Sequence, residues 1–179
     1  MAKDRKIDMV ILGLLIHEDL TGYDIKKNID GAIRFFWKGS FGSIYPALSA
    51  MEEQGLVKKI PSTSGGREKI LYHITDEGKS AVRDWLSERQ AGNELKYETL
   101  LKLFFGGAAD KETAIRNIEV FEEQIRSELA LLKVYQGNLE KVLDQKDHIY
   151  FYLTVTFGVD TMETYLKWCT KAKRILKSA

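Results

Sequence analysis

The sequence predicts a mainly α-helical chain in two parts, three helices with a β-hairpin followed by a wholly helical second half. Three observations predict it. Apolar residues recur at three- and four-residue spacing through most of the 179 residues. Residues 56–75 instead show two short apolar runs around a Pro-Ser-Thr-Ser-Gly-Gly segment, the pattern of two strands and a glycine-tipped turn. Near the end, Tyr152, Val155, Val159, Met162, Leu166 and Cys169 step by 3, 4, 3, 4 and 3, a heptad-like stripe.

The first helix carries Ile7, Val10, Ile11, Leu14 and Leu15 on one face and is broken at Leu20-Thr21-Gly22. Thr21 followed by Asp24 resembles a capping box and opens a second helix, whose Ile25, Ile29 and Ile33 point inward while Tyr23 is assigned to the core. Gly31 and the stretch 37–40 close it. A third helix places Ile44, Leu48 and Met51 on one face and stops at Gly55. Pro46 requires that this helix begin shortly before it, because proline lacks the N–H that only the first turn can spare. Ser43 as the cap satisfies this; Ser40 is the alternative. Two strands at 56–60 and 70–75 follow, and Thr75 with Asp76 and Glu77 starts a fourth helix bearing Val82, Trp85 and Leu86. A domain boundary falls at Ala91-Gly92-Asn93, dividing the chain into residues 1–91 and 92–179.

In the second half, 95–105 is a short apolar helix closed by Gly106-Gly107. Asp110 caps a long one in which Ile118, Phe121, Ile125, Leu129, Leu132, Leu139 and Val142 keep the helical spacing. Residues 149–157 are rich in β-branched and aromatic side chains and could form a strand locally. The longer stripe from Tyr152 to Cys169 decides for a helix and marks a dimerisation face of Tyr152, Val155, Val159, Met162 and Leu166.

Composition narrows the function classes. The chain is 44% hydrophobic and 30% charged, which is ordinary for a soluble globular protein. Its one cysteine, Cys169, cannot pair within the chain, and with three scattered histidines it makes no zinc cluster, so a reducing cytoplasmic location and no metal or cofactor are expected. Cys169 lies on an apolar stripe and is expected to be buried. His17, His73 and His148 are scattered with no metal-ligand spacing between them, so no catalytic or ligand role is expected of them. The apolar runs at 9–16 and 149–159 are shorter than the ~20 residues that cross a bilayer. Net charge is +1, and up to Thr75 there are eleven Lys and Arg against nine Asp and Glu, so overall charge decides nothing about nucleic acid. There is no phosphate loop, nucleophile elbow, paired-carboxylate motif or metal spacing, which argues against an enzyme.

Helix, capped helix, turn, third helix and two-stranded wing within about 75 residues is the order of a winged helix-turn-helix, whose third helix enters the DNA major groove. The residues themselves resemble the PadR-like family of regulators. Ser40-Phe-Gly-Ser-Ile-Tyr-Pro-Ala-Leu-Ser-Ala-Met-Glu-Glu-Gln-Gly-Leu-Val57 is similar to that family's recognition-helix signature. Gly66-Arg67 with Tyr72-His-Ile-Thr-Asp-Glu-Gly78 resembles its wing, and Leu20-Thr-Gly-Tyr-Asp-Ile25 its second-helix opening. Tyr97-Glu-Thr-Leu-Leu-Lys-Leu-Phe-Phe-Gly106 resembles the start of the helical C-terminal domain of longer members. The resemblance implies a homodimer on an inverted-repeat operator in double-stranded DNA, usually a repressor released by a small-molecule effector or another signal. The wing departs from the family's basic Arg-Pro-Arg/Lys pattern, having Glu68 beside Arg67 and Ile70 where a cation is common.

The candidate DNA contacts are Lys38, Ser40, Ser43, Tyr45, Arg67 and Lys69. Serine hydroxyls and helix-start N–H groups can bond phosphate, Tyr45 can bond phosphate or touch a base, and the cations release counterions. Lys3, Arg5 and Lys6 could add charge, whereas Lys58 and Lys59 are expected to solubilise a strand. Trp85 and Trp168 are candidate walls of an effector pocket. A winged fold used as a protein-interaction adaptor without DNA readout is the alternative.

Overall fold

The computed structural model describes residues 4–31, 33–37, 41–64, 67–89 and 97–178; at 4, 5, 41, 63, 64, 67 and 68 it describes the backbone alone. The chain divides into two compact units, residues 1–92 and 93–179.

In the first unit, α1 (Asp4–Leu15), α2 (Gly22–Gly31) and α3 (Ile44–Glu53) surround a core in which Ile11, Leu12, Ile25, Leu48 and Met51 are fully buried. Each such side chain contributes roughly 1.5–3 kcal/mol by leaving water. The capping box at α2 forms as read: the Thr21 hydroxyl accepts from the Asp24 N–H at 3.1 Å, and the Asp24 carboxylate accepts from the Thr21 N–H and hydroxyl at 3.3 and 2.6 Å. The chain enters α3 through a 3-10 turn, Phe41–Ser43. Ser43 occupies the cap position without a side-chain capping bond, and Pro46 falls in the first turn, where it removes no helical bond. Gly55, at φ +73°, ends α3: its N–H and that of Leu56 bond back to the carbonyls of Glu52 and Met51 at 3.0 and 2.8 Å.

The wing strands β1 (Val57–Ser64) and β2 (Arg67–Ile74) pair antiparallel from Val57 with Ile74 out to Ser64 with Arg67. They are longer than the sequence suggests. Pro61, Ser62 and Thr63 look like loop, yet a two-stranded ribbon has only edge strands, where proline is tolerated. On its other side β2 bonds the α1–α2 connection, with the Tyr72 N–H donating to the Leu20 carbonyl at 2.8 Å and the Leu20 N–H returning at 3.3 Å. Beside this bridge His73 Nδ1 lies 2.7 Å from the Asp19 carboxylate. His73 therefore has an acid partner, 54 residues away in the chain and invisible to local reading.

Thr75 caps α4 (Asp76–Ser87) by accepting from the Gly78 N–H at 3.1 Å. The same hydroxyl lies within donating distance of the Gly55 and Leu56 carbonyls, at 2.8 and 3.0 Å. Of the α4 residues expected on the apolar face, Val82 is buried, Trp85 is 38% exposed and Leu86 is 70% exposed.

The second unit holds α5 (Glu98–Phe104), α6 (Lys111–Leu139) and α7 (His148–Ser178). Asp110 caps α6 by accepting from the Thr113 N–H at 2.6 Å. Val142, read as the end of α6, lies instead in a following 3-10 turn, Glu140–Val142. Residues 149–157 are helical, as the long-range stripe requires. α6 and α7 pack along their length around Ile118, Ile125, Leu132, Met162 and Cys169, and Leu132 lies close enough to Gly158 that a Cβ there would sit 3.0 Å from its methyl group. Burial pushes the Cys169 thiol up, away from the thiolate that redox chemistry requires. One carboxylate lies in this seam: Glu122, 8% exposed, bonds Arg126 at 2.6 Å and Lys173 of α7 at close range. At the start of α5, Tyr97 meets Phe121 and Tyr165 edge to face and bonds the Tyr165 hydroxyl; burial first, then that bond, raise its phenol pKa.

Candidate nucleic-acid interface

The first turn of α3 projects an exposed strip from the buried face of the helix. Ile44, Ala47, Leu48 and Met51 face the core, leaving Gly42, Tyr45, Pro46 and Ser49 outward. Tyr45 is 62% exposed, and its ring lies over the backbone of Gly22, the first residue of α2. The N-termini of α2 and α3 thus meet at one surface. Both present partly positive helix ends, which suit phosphate oxygens. The far end of α3 is acidic, with Glu52 and Glu53, so only its N-terminal half is electrostatically suited to DNA.

Tyr23 corrects the sequence reading. It was expected in the core and is instead 69% exposed, on the first turn of α2, next to the glycine on which Tyr45 rests. Ser49, one helical turn beyond Tyr45 and exposed, is a second residue the sequence reading passed over. The available signal was its i, i+4 spacing from Tyr45. Tyr23 missed because it adjoins the buried positions of a short helix.

The remaining candidates divide. Ser43 is at the α3 cap, and Lys69 is exposed on β2 opposite Ser62. Arg67 begins β2, and its side chain is outside the described residues, as are Lys38 and Ser40 entirely. Lys59 does more than solubilise a strand: it bonds Glu52 at 2.6 Å, tying the wing base to the end of α3, and this bond raises its pKa. Ile70 is 51% exposed, so the wing presents an apolar side chain where a cation would serve phosphate better.

The proposed dimerisation residues also sort by geometry. Val159 and Met162 are buried within the single chain, at 6% exposure each, and Tyr152, Val155 and Leu166 are half-buried. Val159 and Met162 therefore belong to the intrachain seam with α6, while Tyr152, Val155 and Leu166 keep part of their surface outward. A second apolar face of α7, carrying Tyr150, Leu153 and Phe157, is 57–69% exposed. Trp85 lies in the first unit and Trp168, half-buried, in the second; the depression on α7, lined by Thr170, Lys173, Arg174 and Lys177, contains neither. Among the described residues there is no cluster able to hold a metal ion and no helix long and apolar enough to cross a membrane.

Comparison with known proteins adds three findings. Residues 11–84 match the profile of the transcriptional regulator PadR-like family, and residues 95–177 that of the virulence activator alpha C-terminal domain. The chain is 30% identical over 173 residues to the negative transcriptional regulator PadR of Bacillus subtilis, covering 92% of this chain and 93% of that one. Crystal structures of Bacillus subtilis PadR align with it in two states. The complex with operator DNA has a TM-score of 0.81 at 27% identity, covering 94% of this chain and 98% of that one. The complex with p-coumaric acid has a TM-score of 0.74 at 25% identity, covering 96% and 98%.

Proposed function

Because the chain belongs to the PadR-like family of transcriptional regulators, we propose that it binds operator DNA as a homodimer, in the cytosol, and represses until a small molecule releases it. The observation that carries the DNA reading is the likeness, over 94% of the chain, to a relative crystallised on its operator. The exposed N-terminal strip of α3 gives that likeness a chemistry: Tyr45 and Ser49 reach into the major groove, while Ser43, the helix-end N–H groups and Tyr23 bond phosphate. Lys38, Ser40, Arg67 and Lys69 supply the remaining polar and cationic contacts. The protein acts by binding and carries out no reaction. The adaptor alternative has no specific observation in its favour.

The purified protein should retard a duplex from its own promoter, with log affinity falling linearly against log salt. Tyr45→Ala should weaken binding by about tenfold, the worth of one base-edge hydrogen bond at the upper end of its usual range, and leave the salt slope unchanged because no cation is lost. Lys69→Ala should instead lower the slope by about one counterion. An unretarded duplex at low salt would reject the reading.

For the dimer we propose the exposed face of α7. Three large apolar side chains on one helix, with Leu101 and Phe104 exposed on α5 and Phe105 just after it, are what an isologous interface buries. Phe157→Asp should weaken self-association by about tenfold or more in sedimentation, with the helical content of the monomer retained. For the effector, the p-coumaric acid complex of the Bacillus subtilis relative supports a small aromatic ligand. A screen of aromatic acids for loss of the DNA shift tests this.

A further inference from the structure

We infer that Gly22 is a positioning residue for DNA recognition, acting only through Tyr45; the inference rests on the DNA-binding reading above. A Cβ at Gly22 would lie 2.7 Å from Cε1, 3.0 Å from Cζ and 3.1 Å from the phenol oxygen of Tyr45. All three atoms belong to the outer end of the ring, so the bare Cα of Gly22 is the surface on which the phenol rests. Gly22 is itself buried, yet Tyr45 is 62% exposed, which means the ring covers the glycine with one part and offers the rest to solvent. Backbone freedom does not explain the glycine, since the positive-φ position among the described glycines is Gly55. Absence of a side chain does.

The seat matters because the first turn of α3 leaves Tyr45 few other constraints. The neighbouring Pro46 is exposed, and among the described residues the phenol has no hydrogen-bond partner; the close approach to Gly22 of α2 is what places the ring. Displacing it by a methyl group moves the hydroxyl on the surface where the two helix starts meet, and a contact displaced by about 1 Å loses most of its hydrogen bond. The cost to the fold is small, because the clashing atoms are the free end of a side chain that can swing outward, and alanine is the better helix former.

The test is a double-mutant cycle on the full-length protein, using a duplex selected against the wild type from a random-sequence pool. Gly22→Ala should melt at or above the wild-type temperature and bind about tenfold more weakly, like Tyr45→Ala. The double variant should bind no more weakly than Tyr45→Ala alone, because the glycine has nothing left to position. Additive losses, or full binding by Gly22→Ala, would overturn the inference while leaving the DNA-binding reading intact. A wild type that selects no duplex would overturn both. A further readout needs no DNA: the Tyr45 ring current should shift the Gly22 α-protons, and Tyr45→Ala should abolish that shift; unshifted protons in the wild type would remove the seat itself.

Discussion

Gly78→Ala should lower the stability of the first unit by roughly 3 kcal/mol, at the upper end of what overpacking a core costs. Gly78 lies in the first turn of α4 with a negative φ, so the penalty is one of space. An added Cβ would sit 2.3 Å from the Leu56 carbonyl oxygen, 2.8 Å from Ile74 Cγ1 and 3.3 Å from Leu12 Cδ2. Unlike the ring over Gly22, the nearest of these is backbone and cannot swing away. The Leu56 carbonyl is also held by the Thr75 N–H at 3.1 Å and approached by the Thr75 hydroxyl at 3.0 Å. One methyl group therefore pushes apart the end of α3, the start of β1 and the cap of α4 together. For a unit of this size the melting midpoint should fall by about 15 °C. Gly13→Ala makes the same chemical change in α1, where nothing lies within 4 Å of the new Cβ. It should stabilise the unit by up to about 1 kcal/mol through helix propensity. Thermal unfolding followed by circular dichroism checks both signs, and equal midpoints for the two variants would defeat the packing account.

The second large effect belongs to Glu122. Glu122→Ala leaves Lys173, 22% exposed, and Arg126, 62% exposed, without their shared acceptor. Removing one member of a fully buried pair costs ~3–5 kcal/mol; with both cations reaching water the loss here should be roughly 2 kcal/mol. Replacing Glu122 and Lys173 together by leucine should restore most of it, because the cation left behind, Arg126, is 62% exposed and keeps its water. The pH dependence has a definite sign. Lys173, and then Arg126, hold the Glu122 carboxyl below the ordinary glutamate range. Its stabilisation is complete above the unfolded value of about 4.3 and is lost as pH falls through the lower folded value. Denaturant midpoints of the wild type should decline through that acid window, and Glu122→Gln should flatten this part of the decline. A glutamine variant with the same acid slope would show that the carboxylate does not carry it.

Much of the architecture is legible because the signals are local. Thr21 with Asp24, Thr75 ahead of Asp76, and Asp110 each announce a helix start through one side chain and one N–H. Pro46 restricts where α3 can begin. The helical reading of 149–157 succeeds because a stripe running to Cys169 outweighs the β-branched composition of nine residues. What escaped is partner identity. The Tyr152 to Leu166 spacing reports that a face of α7 is buried, but an apolar stripe reads the same whether α6 or another chain covers it. His73 and Asp19 meet through a sheet bridge that spacing cannot reveal. Tyr23 and Tyr45 are chemically alike and flank the same glycine, so their exposure depends on how α2 and α3 approach each other. Glu68 and Ile70 announce a less basic wing, and Ile70 is indeed outside; what the wing does to affinity depends on Arg67 and Lys69 reaching phosphate.

The bridge between Leu20 and Tyr72 gives the wing unequal ends. At its base β2 is bonded on both sides, with Asp19 and His73 alongside and Tyr72 and Ile74 packed into the core. From Pro61 and Ile70 outward, among the described residues, the two strands bond each other, and Ile70 is 51% exposed. The described wing is therefore a cantilever, clamped where it meets the helices and held farther out by its own ladder. Bending under a load at the far end takes place in the outer ribbon and leaves the orientation of α3 undisturbed. On the DNA-binding reading proposed above, α3 is then the fixed reading head and the wing the arm that adapts to the groove.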